Sequence, residues 1–200
     1  MRLNTVLAAG AVLVTFACSS ESPSGPSDAS APSGPSGSMG TMNVRLTDSP
    51  YGSARAVLIT FSEVSAQRAD GGWTKLAFAD GSTTRTCDLK KLQNSAQDVL
   101  GTGPLTPGQY NWIRLQIQSA KIYLDAPSTS PTPCAASMAE PAGAASVFTI
   151  PSGEVKLNGT FTLTAGAATT LLLDFDGESS IEKTGSGYLM KPVIRLVSVQ

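Results

Sequence analysis

The sequence predicts an all-β domain, an antiparallel β-sandwich of immunoglobulin-like type with one short helix at most. Short runs rich in Val, Ile, Thr and Leu alternate apolar and polar residues with a period of two, which is typical of half-buried strands. Gly and Pro, which punctuate strands, are frequent, at 19 and 13 of 200 residues. Only residues 88–100 have helical spacing, and that apolar stripe is short.

Eight predicted strands follow one another from residue 41 onwards. In the second run Val57, Ile59 and Phe61 share one face, because side chains alternate along a strand. Short strands at this spacing favour a sandwich or a barrel, and the length suffices for the two-sheet core of a sandwich. The predicted strands are residues 42–46, 57–64, 73–78, 111–117, 147–150, 161–163, 169–175 and 193–199.

Turn residues support this order. Gly71 and Gly72 directly precede the third run and are typical of a hairpin turn. Pro107 and Gly108 lead into a strand that opens with Tyr110. A tyrosine at such an entrance can donate its hydroxyl to backbone upstream, so we expect Tyr110 to fix a corner and not to be catalytic.

Residues 1–17 are typical of an export signal. Arg2 gives a positive start, and residues 6–17 form an apolar run too short to span a bilayer. The run ends at Cys18 after a small residue, which resembles a bacterial lipobox and implies cleavage before Cys18 and a diacylglycerol on its sulfur. Ser19 follows, which by resemblance to lipoprotein sorting indicates the outer membrane. The alternative is an ordinary secretory signal with an incidental cysteine.

Residues 18–40 are predicted to be the lipidated cysteine and a disordered tether. Nine Ser, four Pro and four Gly lie between residues 19 and 40, with Glu21 and Asp28 as the charges. Such a segment buries too little apolar surface to offset its ordering entropy. The alternative is a spacer without a mechanical role. The predicted sandwich domain then covers residues 41–200.

The cysteine count supports export. If Cys18 is acylated, Cys87 and Cys134 remain of the three cysteines, and an exported protein is expected to join them in a disulfide. Free thiols or a redox pair are the alternative, although the sequence contains no Cys-x-x-Cys motif. The Pro- and Ser-rich residues 126–146 form a long insertion that Cys134 would hold in place.

Composition excludes several function classes. The sequence contains no histidine, so hydrolases with a catalytic histidine and zinc sites with histidine ligands cannot be built. A formal net charge of −1 gives no electrostatic footprint for nucleic acid. A glycosidase needs two carboxylates in a cleft, and the pattern shows no aromatic-lined acidic cleft. We therefore expect no enzymatic activity.

Three aspartates are the candidate metal ligands. Asp174 and Asp176 lie two apart on a predicted strand and face the same side, and Asp48 could join them if the first and late strands are neighbours. Oxygen ligands of this kind suit Ca²⁺, the only cofactor that the sequence suggests. The alternative is structural, since aspartate caps turns through its side chain.

Three aromatic residues are the candidate ligand-binding set. Trp73, Trp112 and Tyr123 could form a flat sugar-binding platform if they are exposed together. Trp112 lies on the face opposite the apolar Ile113, which makes its exposure plausible. The alternative is packing in the core or on the sheet, where large aromatics are more often found.

Four segments carry a resemblance to a known family. They are residues 44–50 (VRLTDSP), 107–110 (PGQY), 173–176 (LDFD) and 188–195 (YLMKPVIR). In this order they resemble the bacterial and archaeal domain of unknown function 4382 family, over about residues 40–199. The resemblance implies an exported lipoprotein with a β-sandwich of prealbumin or carboxypeptidase-regulatory type. The family has no established activity.

Together these observations predict a cell-envelope lipoprotein, anchored to the membrane by its lipid, with a non-catalytic domain that serves in binding or structure. Its expected partners are an envelope protein or a glycan, and not nucleic acid. The alternative function is a carbohydrate-binding or calcium-dependent adhesion module.

Overall fold

The structure is a computed structural model that describes residues 37–49 and 51–200. The predicted signal peptide, Cys18 and most of the predicted tether lie outside the described residues. The first strand shows why these segments are extended: Met42, Val44 and Leu46 are fully buried, and the residues between them face outward. Burial of every second residue stabilises a strand against a core.

The described residues form thirteen strands and two single-turn helices. The strands are β1 (Gly40–Ser49), β2 (Ala56–Arg68), β3 (Trp73–Phe78), β4 (Arg85–Asp88), β5 (Asp98–Leu105), β6 (Gly108–Tyr123), β7 (Cys134–Ala135), β8 (Ala145–Thr149), β9 (Glu154–Leu163), β10 (Ala168–Asp176), β11 (Ile181–Thr184), β12 (Gly187–Met190) and β13 (Ile194–Val199). A 3₁₀ turn covers Leu89–Lys91, and α1 covers Gly177–Ser180. The all-β class is therefore confirmed. The helical spacing of residues 88–100 was misleading, because beyond the 3₁₀ turn this stretch enters β5.

All strands belong to one hydrogen-bonded sheet, with the order β11-β12-β8-β6-β2-β3-β5-β1-β10-β13. β4 and β9 pair additionally with β2 and β6, and β7 pairs with β4. The predicted sandwich of two separate sheets is not confirmed, since the sheet is continuous and curls on itself. It is also not wholly antiparallel, because β1 pairs with β10, and β8 with β12, in parallel.

The curl encloses one main core. Buried side chains of β1, β2, β6 and β10 meet in a single cluster. The curl also brings β9 close to β13, where a Cβ on Gly159 would lie 2.6 Å from Leu196 Cδ2. Glycine is needed at residue 159 because the two strands approach closely there.

Two predicted local features are confirmed. Cys87 and Cys134 form a disulfide between β4 and β7, which holds the long insertion against the sheet. The Tyr110 hydroxyl donates to the Thr106 carbonyl oxygen at 2.7 Å, and its ring stacks on Phe161. Tyr110 is therefore a corner residue. Within residues 37–49 and 51–200, no helix has the length and apolar character needed to cross a lipid bilayer.

Candidate functional site

The outer face of the sheet, turned away from the core, carries the predicted aromatic residues. On β6, Ile113, Leu115 and Ile117 are buried in the core, as the period of two predicts. Trp112 therefore lies on the opposite, outer face and is partly exposed. The same alternation on β3 buries Leu76 and leaves Trp73 partly exposed.

The pairing register places both tryptophans in one line of side chains that crosses four strands. Gln67 of β2 is the direct partner of Trp73 on β3 and of Trp112 on β6, and Trp112 is in turn the partner of Asn158 on β9. Strands are about 4.8 Å apart, so the two tryptophans lie about 10 Å apart. We call Trp73, Gln67, Trp112 and Asn158 the tryptophan row.

Charged side chains flank this row and pair with one another. Arg114 donates from Nε to Ser65 Oγ at 3.1 Å and also binds Glu63, whose second oxygen lies 2.6 Å from Lys75 Nζ. On the same face Glu154 lies 2.9 Å from Lys156 Nζ. The face therefore offers few unpaired charges beside the row.

Arg114 also positions one of the tryptophans. Its guanidinium carbon lies 4.4 Å from the centre of the Trp73 ring, a cation–π contact. Because Arg114 is fixed by Ser65 and Glu63, the Trp73 ring is held in one orientation while it remains partly exposed. Arg114 covers one face of the ring, so a ligand would stack on the opposite face of a ring that is already ordered.

The carboxylates of this face are held in their charged form. Partial burial alone would raise the pKa of Glu63, but hydrogen bonds from Lys75 and Arg114 outweigh it, and the pKa is lowered. The hydrogen bond from Lys156 lowers the pKa of Glu154. Neither group is poised to exchange a proton near neutral pH, so the face is suited to binding by contact.

Tyr123 does not belong to the tryptophan row, which corrects the predicted platform. The register of β2 against β6 shifts near Phe61, and the extra residue Gln118 brings Tyr123 to the same outer face as Trp112, but far from it. Tyr123 lies eleven residues beyond Trp112, about 36 Å along an extended strand. It is buried under the insertion, where Met138 packs on it, and its hydroxyl donates to Glu140 at 3.0 Å.

Asp48 lies at the end of β1 with its carboxyl group turned into the core. Its partner in register is Phe175, and a Cβ on Gly177 of α1 would lie 3.2 Å from Asp48 Oδ1. Among the described residues neither carboxyl oxygen has a well-formed hydrogen bond. Burial raises the pKa of Asp48 to about 8, and the charge of Asp174 adds to this effect.

Asp174 and Asp176 do share a face, as predicted, but they are engaged locally. Ser49 Oγ donates to Asp174 Oδ2 at 3.0 Å, and Arg195 contacts both carboxylates. Asp176 caps α1 by accepting from the Ser179 N–H at 2.9 Å, and this bond lowers its pKa.

The three aspartates therefore do not converge on one point. Asp48 faces the core, as does its register partner Phe175 on β10. Asp174 and Asp176 lie on either side of Phe175 and face outward, because consecutive residues of a strand point to opposite sides. In the part of the chain that the structure describes, no group of three or more His, Cys, Asp or Glu side chains is arranged to hold a metal ion. The geometry favours the structural alternative for these residues.

Sequence reasoning missed the polar members of the site. Gln67, Arg114 and Asn158 come from three strands, and only the pairing register brings them beside the tryptophans. The alternation of side chains along each strand indicated that these residues face outward, but not that they lie beside the tryptophans. The register itself depends on contacts that are distant in sequence.

Comparison with known proteins concerns the whole domain. A family model described as "Domain of unknown function (DUF4382)" matches residues 39–192. No curated protein and no solved structure matches the chain significantly. The match covers more than half of the chain and contains all four segments on which the resemblance rested, except for the last three residues of the fourth. The chain therefore belongs to the domain of unknown function 4382 family.

Proposed function

We propose that the chain is a cell-envelope lipoprotein whose β domain is a non-catalytic binding module. The observation that carries the binding role is the tryptophan row, in which two large aromatic rings stay partly exposed on an ordered polar face. Such amphipathic rings, flanked by amides, are typical of recognition surfaces.

The side-chain chemistry supports a non-catalytic role. The sequence has no histidine, the most frequent general base. Among the described residues, burial raises the pKa of two carboxyl groups, Asp48 (to about 8) and Asp88, and both are buried away from the row. Proton transfer to a ligand on the outer face would need a group on that face.

The N-terminal sequence supports a location in the cell envelope. The apolar run before Cys18 and the Ser- and Pro-rich residues after it suit a lipid anchor followed by a tether. The test is incorporation of labelled palmitate into the full-length chain in a Gram-negative host. We expect labelling of the native chain and none of Cys18→Ser; equal labelling of both would refute the anchor.

Binding is tested with the full-length chain in mild detergent and delipidated cell-envelope material, so that the lipid itself cannot cause retention. We expect co-sedimentation of the native chain and loss with the double variant Trp73→Ala/Trp112→Ala. Gln118→Ala, on β6 but outside the row, is the matched control and should be retained. Equal retention of all three proteins would refute the proposed surface.

A further inference from the structure

We propose that the ligand of the tryptophan row is an uncharged polysaccharide that lies across strands β3, β2, β6 and β9. This inference rests on the proposed function and names the class of ligand. The juxtaposition that supports it is the alternation along the row of an aromatic ring, an amide, an aromatic ring and an amide.

The alternation matches the surface of a sugar chain. Each sugar ring has an apolar face of C–H groups, which packs on an aromatic ring, and hydroxyl groups at its rim, which both donate and accept hydrogen bonds. Gln67 and Asn158 carry side-chain amides, which also donate and accept. An amide between two stacking rings therefore lies where the hydroxyl groups of a stacked chain would be.

The charges beside the row indicate that the ligand is uncharged. Lys75 pairs with Glu63, Lys156 pairs with Glu154, and Arg114 lies close to both carboxylates. An anionic chain would have to compete with these carboxylates for their cations. An uncharged chain leaves every ion pair intact.

The shape of the surface favours an extended ligand. Small-molecule sites are concave and bury most of the ligand. The tryptophan row lies on one face of adjacent strands and touches a ligand from one side only. Four strands at about 4.8 Å give a row about 14 Å long, so a ligand must be extended to contact all four side chains.

The two tryptophans also give a direct readout, because they are the only tryptophans in the chain. Intrinsic tryptophan fluorescence of the full-length protein in mild detergent therefore reports on the row alone. The probes are soluble neutral glucan, mannan and galactan, the anionic polygalacturonate, and a proline-rich peptide, which is the other ligand class that binds aromatic surfaces.

We expect at least one neutral polysaccharide to change the fluorescence saturably. Trp112→Ala should weaken its binding by about tenfold or more, as expected for the loss of one stacked aromatic ring. In this variant Trp73 remains, and its fluorescence still reports binding. Gln67→Ala should weaken binding and keeps both fluorophores, whereas Gln118→Ala should bind as the native protein does. Thermal unfolding of each variant checks that the fold is kept.

Three outcomes would overturn the inference. They are binding of polygalacturonate alone, binding of the peptide alone, and no binding by any neutral polysaccharide. If envelope material is still retained through the tryptophans in the last case, the proposed function stands and only the ligand class is wrong. If that retention is also absent, both proposals fail.

Discussion

Replacement of Asp48 by asparagine should stabilise the protein at alkaline pH and leave it unchanged near pH 4. Asp48 is 6% exposed, and burial raises the pKa of its carboxyl group from 3.8 to about 8. Asp174 and Asp176 add to the rise, while Lys90 and the Gly177 N–H oppose it. Asparagine has nearly the same shape and cannot ionise, so the substitution removes the titration and keeps the packing.

The sign follows from proton linkage. Between the unfolded pKa of 3.8 and the folded pKa of about 8 the native state holds a proton that the unfolded chain releases. The contribution of Asp48 to stability is complete below the lower value and is lost as pH rises through the higher one. The slope is at most about 1.4 kcal/mol per pH unit, and the whole range corresponds to about 6 kcal/mol. This figure is an upper limit, because water penetration softens the effect of burial.

The assay is urea unfolding of the full-length chain, followed by circular dichroism from pH 4 to pH 9 with the disulfide intact. We expect the difference between Asp48→Asn and the native protein to grow with pH. Asp176→Asn is the matched control of opposite sign, because the pKa of Asp176 is lowered by the Ser179 N–H and then by Arg195. It should destabilise above about pH 4 and not below. Parallel curves for Asp48→Asn and the native protein would refute the reasoning.

Three further predictions concern stability. The double variant Cys87→Ala/Cys134→Ala opens a loop of 47 residues and should lose up to about 4 kcal/mol of unfolding free energy in urea, and an unchanged midpoint would contradict this. Tyr110→Phe keeps the stack on Phe161 but loses the bond to Thr106, so calorimetry should show a loss of about 1 kcal/mol. Gly40→Ala should cost about 1–3 kcal/mol, because its Cβ would lie 2.5 Å from Leu163 Cγ. Gly52→Ala, which meets nothing within 4 Å, should be neutral in the same melt.

The strands that sequence reasoning found are those with a clear period of two, such as β1, β2 and β6. β5 was missed because Gly101 and Gly103 interrupt its pattern and resemble turn residues. A Cβ on Gly101 would lie 3.3 Å from Val64 Cβ, so close packing against the neighbouring strand, and not a turn, favours glycine there. A Cβ on Gly103 would be in ordinary contact, 3.4 Å from Leu76 Cδ2.

The site was predictable only where side chains alternate regularly along a strand. Alternation alone placed Trp112 outward, and this was correct. Tyr123 was grouped with it wrongly, because it lies eleven residues further along β6 and the insertion covers it there. Nothing in the strand pattern of β6 marks that cover. The parallel pairing of β1 with β10, more than a hundred residues apart, is equally invisible in a single sequence.

The two halves of the outer face differ in how far their side chains are covered, and this difference supports the binding role. Where β2 and β6 present Leu58 and Tyr123, the disulfide-held insertion covers them with Met138. Where the same strands present Gln67 and Trp112, both side chains remain partly exposed. Had the tryptophan served only packing, cover of the kind that protects Tyr123 would be expected, since burial of a large ring is favourable. A ring left in contact with water among ordered polar groups is better explained by a ligand that completes its burial.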